Sequence, residues 1–262
     1  MIIYFISSFG HGKGGHFHSL RVISEAISPV LSCMIISVGP RLSRTIQDIT
    51  LIPVYHFDYN GFGFFHTVRL IEKEIECHCI NSSSNILHAF DEYAYLFARV
   101  IAQRKNNSLV LTKCGGPNPK IYFPRAKNMI LFSQENYLFF RSKMKHENSN
   151  IKLIPNRVNE VKLNELRIIN LRQRLNLFAN ETVILRIGRI NEHYVQTIRQ
   201  AINLHVDLES VGVENHLVLI GVIQNMKSQE KILKALPKRV HVISDEQFIN
   251  SSSELLDIAD II

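Results

Sequence analysis

The stretch that decides the fold is Ile2-Ile3-Tyr4-Phe5-Ile6-Ser7, which runs through Ser8 and Phe9 into Gly10-His11-Gly12-Lys13-Gly14-Gly15-His16-Phe17-His18. Six residues without a charge, rich in β-branched and aromatic side chains, read as a strand buried on both faces. The glycines that follow are a tight turn, and from Ser19 onward the apolar residues recur at helical spacing. Strand, glycine-rich turn and helix N-terminus place free backbone N–H groups at the carboxyl edge of a sheet. The helix dipole and those orphan amides both favour negative charge there. Gly10, Gly12 and Gly15 fit the G-x-G-x-x-G spacing of dinucleotide-binding turns. No acidic residue closes the second strand near Val38, so the ribose contact of that motif is missing. The turn by itself points to a phosphate or a sugar.

Working outward, the same alternation continues. Short apolar runs at 31–38, 52–57, 85–89, 109–112 and 128–132 read as strands. Between them 18–27, 66–79, 91–104 and 134–145 read as amphipathic helices. Uninterrupted strands separated by helices imply a parallel sheet covered on both faces. The pattern breaks at Ile154-Pro155-Asn156-Arg157-Val158, continues through a charged helical stretch at 160–176, and restarts. Strands are expected at 182–187, 216–221 and 240–244, and helices at 193–208, 226–235 and 252–258. The fold class expected is α/β, two tandem Rossmann-like units over residues 1–157 and 158–262. A cleft facing the carboxyl ends of both sheets is where such a pair would take its ligand. Ala259-Asp260-Ile261-Ile262 reads as the start of a further strand, and the sequence reads as cut inside its second domain.

Composition narrows the function. Apolar runs are far shorter than the roughly 20 residues of a spanning helix, and the start lacks the basic and apolar regions of a signal peptide. A cytoplasmic protein is expected. The four cysteines are scattered, as suits thiols in a reducing compartment. Glu76-Cys77-His78-Cys79 lacks a second well-spaced pair of metal ligands, so no metal is expected. Net charge is +7, with basic clusters at 99–105, 120–127, 141–145 and 167–174. No aromatic-interleaved nucleic-acid motif accompanies them. A basic surface of this kind suits a diphosphate-bearing substrate or anionic lipid headgroups.

Several segments, taken in order, resemble retaining glycosyltransferases of the GT-B fold, the glycogen-synthase-like group 1 type. They are Gly14-Gly15 with His18 nearby, Asn85-Ile86-Leu87-His88, Ile154-Pro155-Asn156, Ile187-Gly188-Arg189-Ile190, Leu217-Val218-Leu219-Ile220-Gly221 and Ile258-Ala259-Asp260-Ile261. The resemblance implies transfer of a sugar from a nucleoside-diphosphate sugar to an acceptor hydroxyl, with retention and without a metal or other cofactor. It implies that Gly14, Gly15 and Arg189 contact the donor's diphosphate or sugar. His193-Tyr194 stands where the family has a lysine, so His193 would complete the cationic grip only when protonated. His18, His88, Asp91, Lys113 and Asn118 fall where the family faces its acceptor or sugar, although Phe90 replaces its most constant histidine. The family's paired glutamates, eight positions apart, would fall after Ile262. Partners implied are the sugar nucleotide and a glycan or lipid-linked acceptor, with peripheral association at the inner membrane face and no nucleic acid. The other readings are a non-catalytic nucleotide- or sugar-binding module and an NAD-dependent epimerase or oxidoreductase. Against the last, Tyr4, Tyr55, Tyr93 and Tyr137 are not followed by a lysine four positions on.

Overall fold

The structure is a computed structural model, and it describes residues 1–9, 15–40, 50–78, 85–114, 122–144, 148–155, 165–178, 181–188, 190, 194–221, 236–243, 256 and 258–262. The chain divides into two compact units, Met1–Asn159 and Glu160–Ile262.

In the first unit the apolar runs form β1 (Ile2–Ser7), β2 (Cys33–Gly39), β3 (Val54–Asp58), β4 (Ile86–Ala89), β5 (Ser108–Lys113), β6 (Asn128–Leu131) and β7 (Asn150–Leu153). They make one parallel sheet in the order β3-β2-β1-β4-β5-β6-β7. The sequence pattern missed β7. Only Ile151 of its four residues is part-buried and the other three are exposed, as an edge strand permits, so it lacks the continuous apolar run that betrays β1 and β2.

The helices are α1 (Gly15–Ile27), α2 (Phe64–His78), α3 (Glu92–Lys105) and α4 (Gln134–Lys143). Alternation along the strands sorts the core into two faces. Ile2, Tyr4, Ile6 and Ile35 pack with Phe17, Leu20 and Ile23 of α1. Ile3, Phe5, Met34, Ile36, Leu87 and Leu111 pack with Val68, Ile71 and Ile75 of α2, with Phe97 and Ile101 of α3, and with Phe140 of α4. Such a doubly wound sheet follows from right-handed crossovers, which send the connections on either side of β1 to opposite faces.

The local signals of α3 are complete. Asp91 caps its first turn, Glu92 lies within that turn, Arg104 and Lys105 lie in the last, and Asn106 closes it in the left-handed conformation at φ 51°. Arg104 and Lys105 also pair with Glu72 and Glu76 of α2 at 3.1 and 2.6 Å. Those pairs lie at the surface, where solvent and salt screen them, so they contribute little.

The second unit holds α5 (Glu165–Arg174), β8 (Thr182–Ile187), α6 (Val195–Ser210), β9 (Asn215–Ile220) and β10 (Val240–Ile243). Its parallel sheet runs β10-β9-β8. Leu171 of α5 and Leu175 just after it cover one face, and Ile198 of α6 covers the other. Ile261 bridges Ile184 in parallel, and Asp260 Oδ2 accepts the Val183 N–H at 2.8 Å. At the expected position of a further strand, the described residues show this single bridge to β8. The helices expected at 226–235 and 252–258 fall largely outside the described residues.

The amino edge of this sheet carries a buried polar chain. His216 Nδ1 lies 2.9 Å from His241 Nε2, and His216 Nε2 lies 3.0 Å from Glu181 Oε2. The Phe178 N–H donates to Glu181 at 2.8 Å. That bond, with His216 and Arg239 adding to it against the cost of burial, holds the Glu181 carboxyl below the usual carboxylate range. Burial and the neighbouring His216 hold His241 below the ordinary histidine range.

Candidate functional site

In open parallel sheets ligands gather at the carboxyl ends of the strands, where the strand order reverses. In the first unit that point lies between β1 and β4. Here Asp91 joins the two strand ends: its Oδ2 accepts the Ser7 N–H at 2.7 Å, and its Oδ1 accepts the Ala94 N–H at 2.8 Å. Both carboxylate oxygens are thus engaged by backbone. Asp91 holds the edge in shape while it caps α3.

His88, one residue before the carboxyl end of β4, is 7% exposed. Its Nε2 lies 2.7 Å from Thr112 Oγ1 of β5, and its ring packs against Tyr4 and Phe90 at 5.6 and 4.5 Å between centroids. It belongs to the layer beneath the edge. Phe90, which stands in place of the family's histidine, is itself buried.

Lys113 ends β5 and is 4% exposed, with its Nζ 5.7 Å from the centre of the Phe123 ring. The ring's negative face offsets part of the cost of burying an ammonium. A lysine kept at the carboxyl end of a central strand is suited to an anion or a dense set of hydroxyls.

Gly15 opens α1. Among the described residues, a Cβ there would meet nothing within 4 Å. His18, one turn on, is exposed, and its Nδ1 lies 3.5 Å from the Arg21 guanidinium. Partial burial and that positive charge lower its pKa, with Glu25 opposing, so near neutrality it presents an uncharged ring. Gly14, Asn118, Arg189 and His193 lie outside the described residues.

On the second unit, sequence reasoning missed Arg186. It sits one residue before the carboxyl end of β8 and is the one charged side chain of that strand. Its guanidinium donates to the Gly188 carbonyl at 3.1 Å and to Thr197 Oγ1 at 3.3 Å, and lies 6.0 Å from the centre of the Tyr194 ring. Tyr194 precedes α6 without a side-chain cap bond to it. A part-buried guanidinium therefore stands beside the positive end of a helix. Only the spacing to α6 makes that visible. Among the described residues no group of three histidine, cysteine, aspartate or glutamate side chains could hold a metal ion, and no helix is long and apolar enough to cross a membrane.

No protein-family model matches this sequence, and no curated protein sequence matches it. Solved structures do. Anabaena HepE, in complex with UDP-glucose, is similar over 93% of this chain and 68% of its own, at 17% identity and a TM-score of 0.69. A glycosyltransferase from Rickettsia africae is similar over 99% of this chain and 71% of its own, at 15% identity and a TM-score of 0.69. The fold is GT-B. A Listeria monocytogenes protein assigned as a UDP-N-acetylglucosamine 2-epimerase shares it over 93% of this chain and 68% of its own, at 14% identity and a TM-score of 0.54. At such identities the likeness is one of fold, and GT-B architecture serves more than one chemistry.

Proposed function

We propose that this chain is a glycosyltransferase that moves a hexose from a nucleoside-diphosphate sugar to an acceptor hydroxyl, with retained anomeric configuration. The observation that carries the reading is the shared fold with HepE, a protein seen with UDP and with UDP-glucose. The work expected of it is synthesis of a surface polysaccharide or related glycan, at the cytoplasmic face of a membrane.

The leaving group is a diphosphate, so the chemistry asks for positive charge and N–H donors where negative charge develops. Arg189 and, when protonated, His193 take that part in this reading. In the same reading the amides of Gly14 and Gly15 donate to the diphosphate or the sugar of the donor. Arg186 adds a guanidinium at the end of β8, which offsets the lysine that His193-Tyr194 replaces. Lys113, His18 and Asn118 face the acceptor or the transferred sugar. Asp91 and His88 serve as positioning residues, because the Asp91 oxygens and the His88 Nε2 are held by the chain's own groups. No metal or cofactor takes part.

Calorimetric titration with UDP, UDP-glucose, GDP and NAD tests this. Binding of a nucleoside diphosphate and not of NAD is the expected result, and binding of NAD alone would overturn it. Arg189→Ala should weaken nucleoside-diphosphate binding about tenfold or more, the loss of one charge-assisted bidentate contact. An unchanged affinity removes Arg189 from the site. Formation of a 2-epimer from UDP-N-acetylglucosamine, without transfer to any acceptor, would favour epimerisation over transfer.

A further inference from the structure

We infer that Tyr93, backed by Phe9, forms a stacking platform for a neutral hexose ring at the carboxyl edge of the first unit; this rests on the glycosyl-transfer reading and names its acceptor as a carbohydrate. The topology brings together four strand ends. Phe9 follows β1, Gly39 ends β2, Tyr59 follows β3, and Tyr93 lies in the first turn of α3 just after β4. The Phe9 and Tyr93 rings stand 5.1 Å apart at 37°, and the Phe9 and Tyr59 rings stand 6.3 Å apart edge to face. Tyr59 is anchored below by Phe97 at 5.1 Å. The cluster is therefore rooted in the core, yet Phe9 is 38% and Tyr93 51% exposed.

Its placement is built in. Gly39 adopts φ +140°, and a Cβ there would collide with Ser8 Oγ and come within 3.4 Å of Phe9 Cδ2. The absence of a side chain at Gly39 is what lets Ser8 and Phe9 lie over the end of β2. Ser8 is held in turn by donating from Oγ to the Pro40 carbonyl at 2.9 Å.

Apolar area alone would suit a lipid as well as a sugar, and charge decides between them. Among the described residues at the ends of β1 to β4, the aspartate, glutamate, lysine and arginine side chains are Asp58, Asp91 and Glu92, all acidic. Asp58 is 67% exposed at its side chain, with one oxygen 3.2 Å from His56 Nε2, whose Nδ1 lies 3.2 Å from Ser37 Oγ. The exposed Asp58 carboxylate, next to Tyr59, can accept hydrogen bonds from sugar hydroxyls while the aromatic ring meets the C–H face of a pyranose. The acidic side chains repel anionic headgroups.

The sequence has no tryptophan, so Tyr93→Trp installs the one tryptophan at the platform, which can be excited apart from the tyrosines. Titration with maltotriose, cellotriose and mannotriose should give a saturable fluorescence change with at least one of them. In calorimetry Tyr93→Ala should bind that trisaccharide about tenfold or more weakly than the parent, with affinity for UDP unchanged, and Tyr93→Phe should retain binding. The proposal is overturned if the parent binds none of the three, or if Tyr93→Ala binds as the parent does. It is also overturned if the parent binds phosphatidylglycerol vesicles and Tyr93→Ala does not. Tyr93-dependent trisaccharide binding by a chain that fails to bind UDP would sustain the platform and sink the donor reading.

Discussion

Replacing Asp91 by alanine probes the joint between β1, β4 and α3. Two consequences can be worked separately. Losing an aspartate N-cap costs about 1 kcal/mol, within a range of about 0.5–2. The Ser7 N–H is then left without its 2.7 Å acceptor at a residue only 6% exposed, and an orphaned buried donor costs about 1–3 kcal/mol. Together the loss should be about 2–4 kcal/mol, centred on the carboxyl edge. A two-unit chain need not unfold in one step, so the informative assay is local: amide hydrogen exchange, residue by residue. Two kcal/mol corresponds to about a 30-fold faster exchange where local opening controls it. In Asp91→Ala both the Ser7 and the Ala94 amides should speed up by at least that factor. In Asp91→Asn the amide oxygen can still accept from Ala94 while its NH2 group faces the Ser7 N–H, so only the Ser7 amide should lose protection. Exchange at both amides within about threefold of the parent would refute the reasoning, since a factor of that size is worth only about 0.7 kcal/mol.

Gly39→Ala should destabilise the first unit by about 1–3 kcal/mol, because it places a side chain in a left-handed conformation as well as against Ser8; thermal unfolding followed by circular dichroism checks it, and an unaltered midpoint counts against the close packing at this edge. Thr112→Val removes the 2.7 Å partner of His88 and should cost about 1–2 kcal/mol, whereas Thr112→Ser should cost less. A loss in Thr112→Ser larger than that in Thr112→Val would mean that the methyl group matters more than the hydroxyl. The second unit should weaken on acidification. His241 and Glu181 both have folded-state pKa values below their ordinary values of 6.5 and 4.5, so in both cases the unfolded chain binds protons first. Stability falls as pH drops below about 6.5 through His241, and falls again below about 4.5 as Glu181 is protonated. Denaturation of the second unit followed from pH 8 to 4 measures this; His241→Gln should remove the upper phase, and a flat profile would show that the chain from Glu181 to His241 does not couple to folding.

Much of the architecture was legible in one dimension because its signals are local. β1, β2, β8 and β9 are apolar on both faces, so periodicity and β-branching identify them without knowledge of their neighbours. α3 carries its own cap, first-turn acid and last-turn bases. β7 was not legible: at the sheet edge its burial is partial and its side chains alternate, so nothing in Asn150-Ile151-Lys152-Leu153 separates it from a loop. Among the candidate site residues, the sequence pattern marks which side chains stand at strand ends, and it does so for His88, Asp91 and Lys113. What each does there depends on groups far away. The acceptor of the Ser7 N–H lies 84 residues along the chain, and His88 meets Thr112 only because β4 and β5 pair in register.

By itself the sequence determined that the chain is α/β, that its strands are parallel, and that a helix follows the first strand, because these follow from hydrophobic period and backbone preference. The strand order, and with it the point where β1 and β4 part, was decided by tertiary structure, since crossover handedness and core packing act on whole elements. That order turns Asp91 from a surface acid into the bond between two strand ends. It also gathers Phe9, Gly39, Tyr59 and Tyr93, which no spacing in the chain relates, onto one edge.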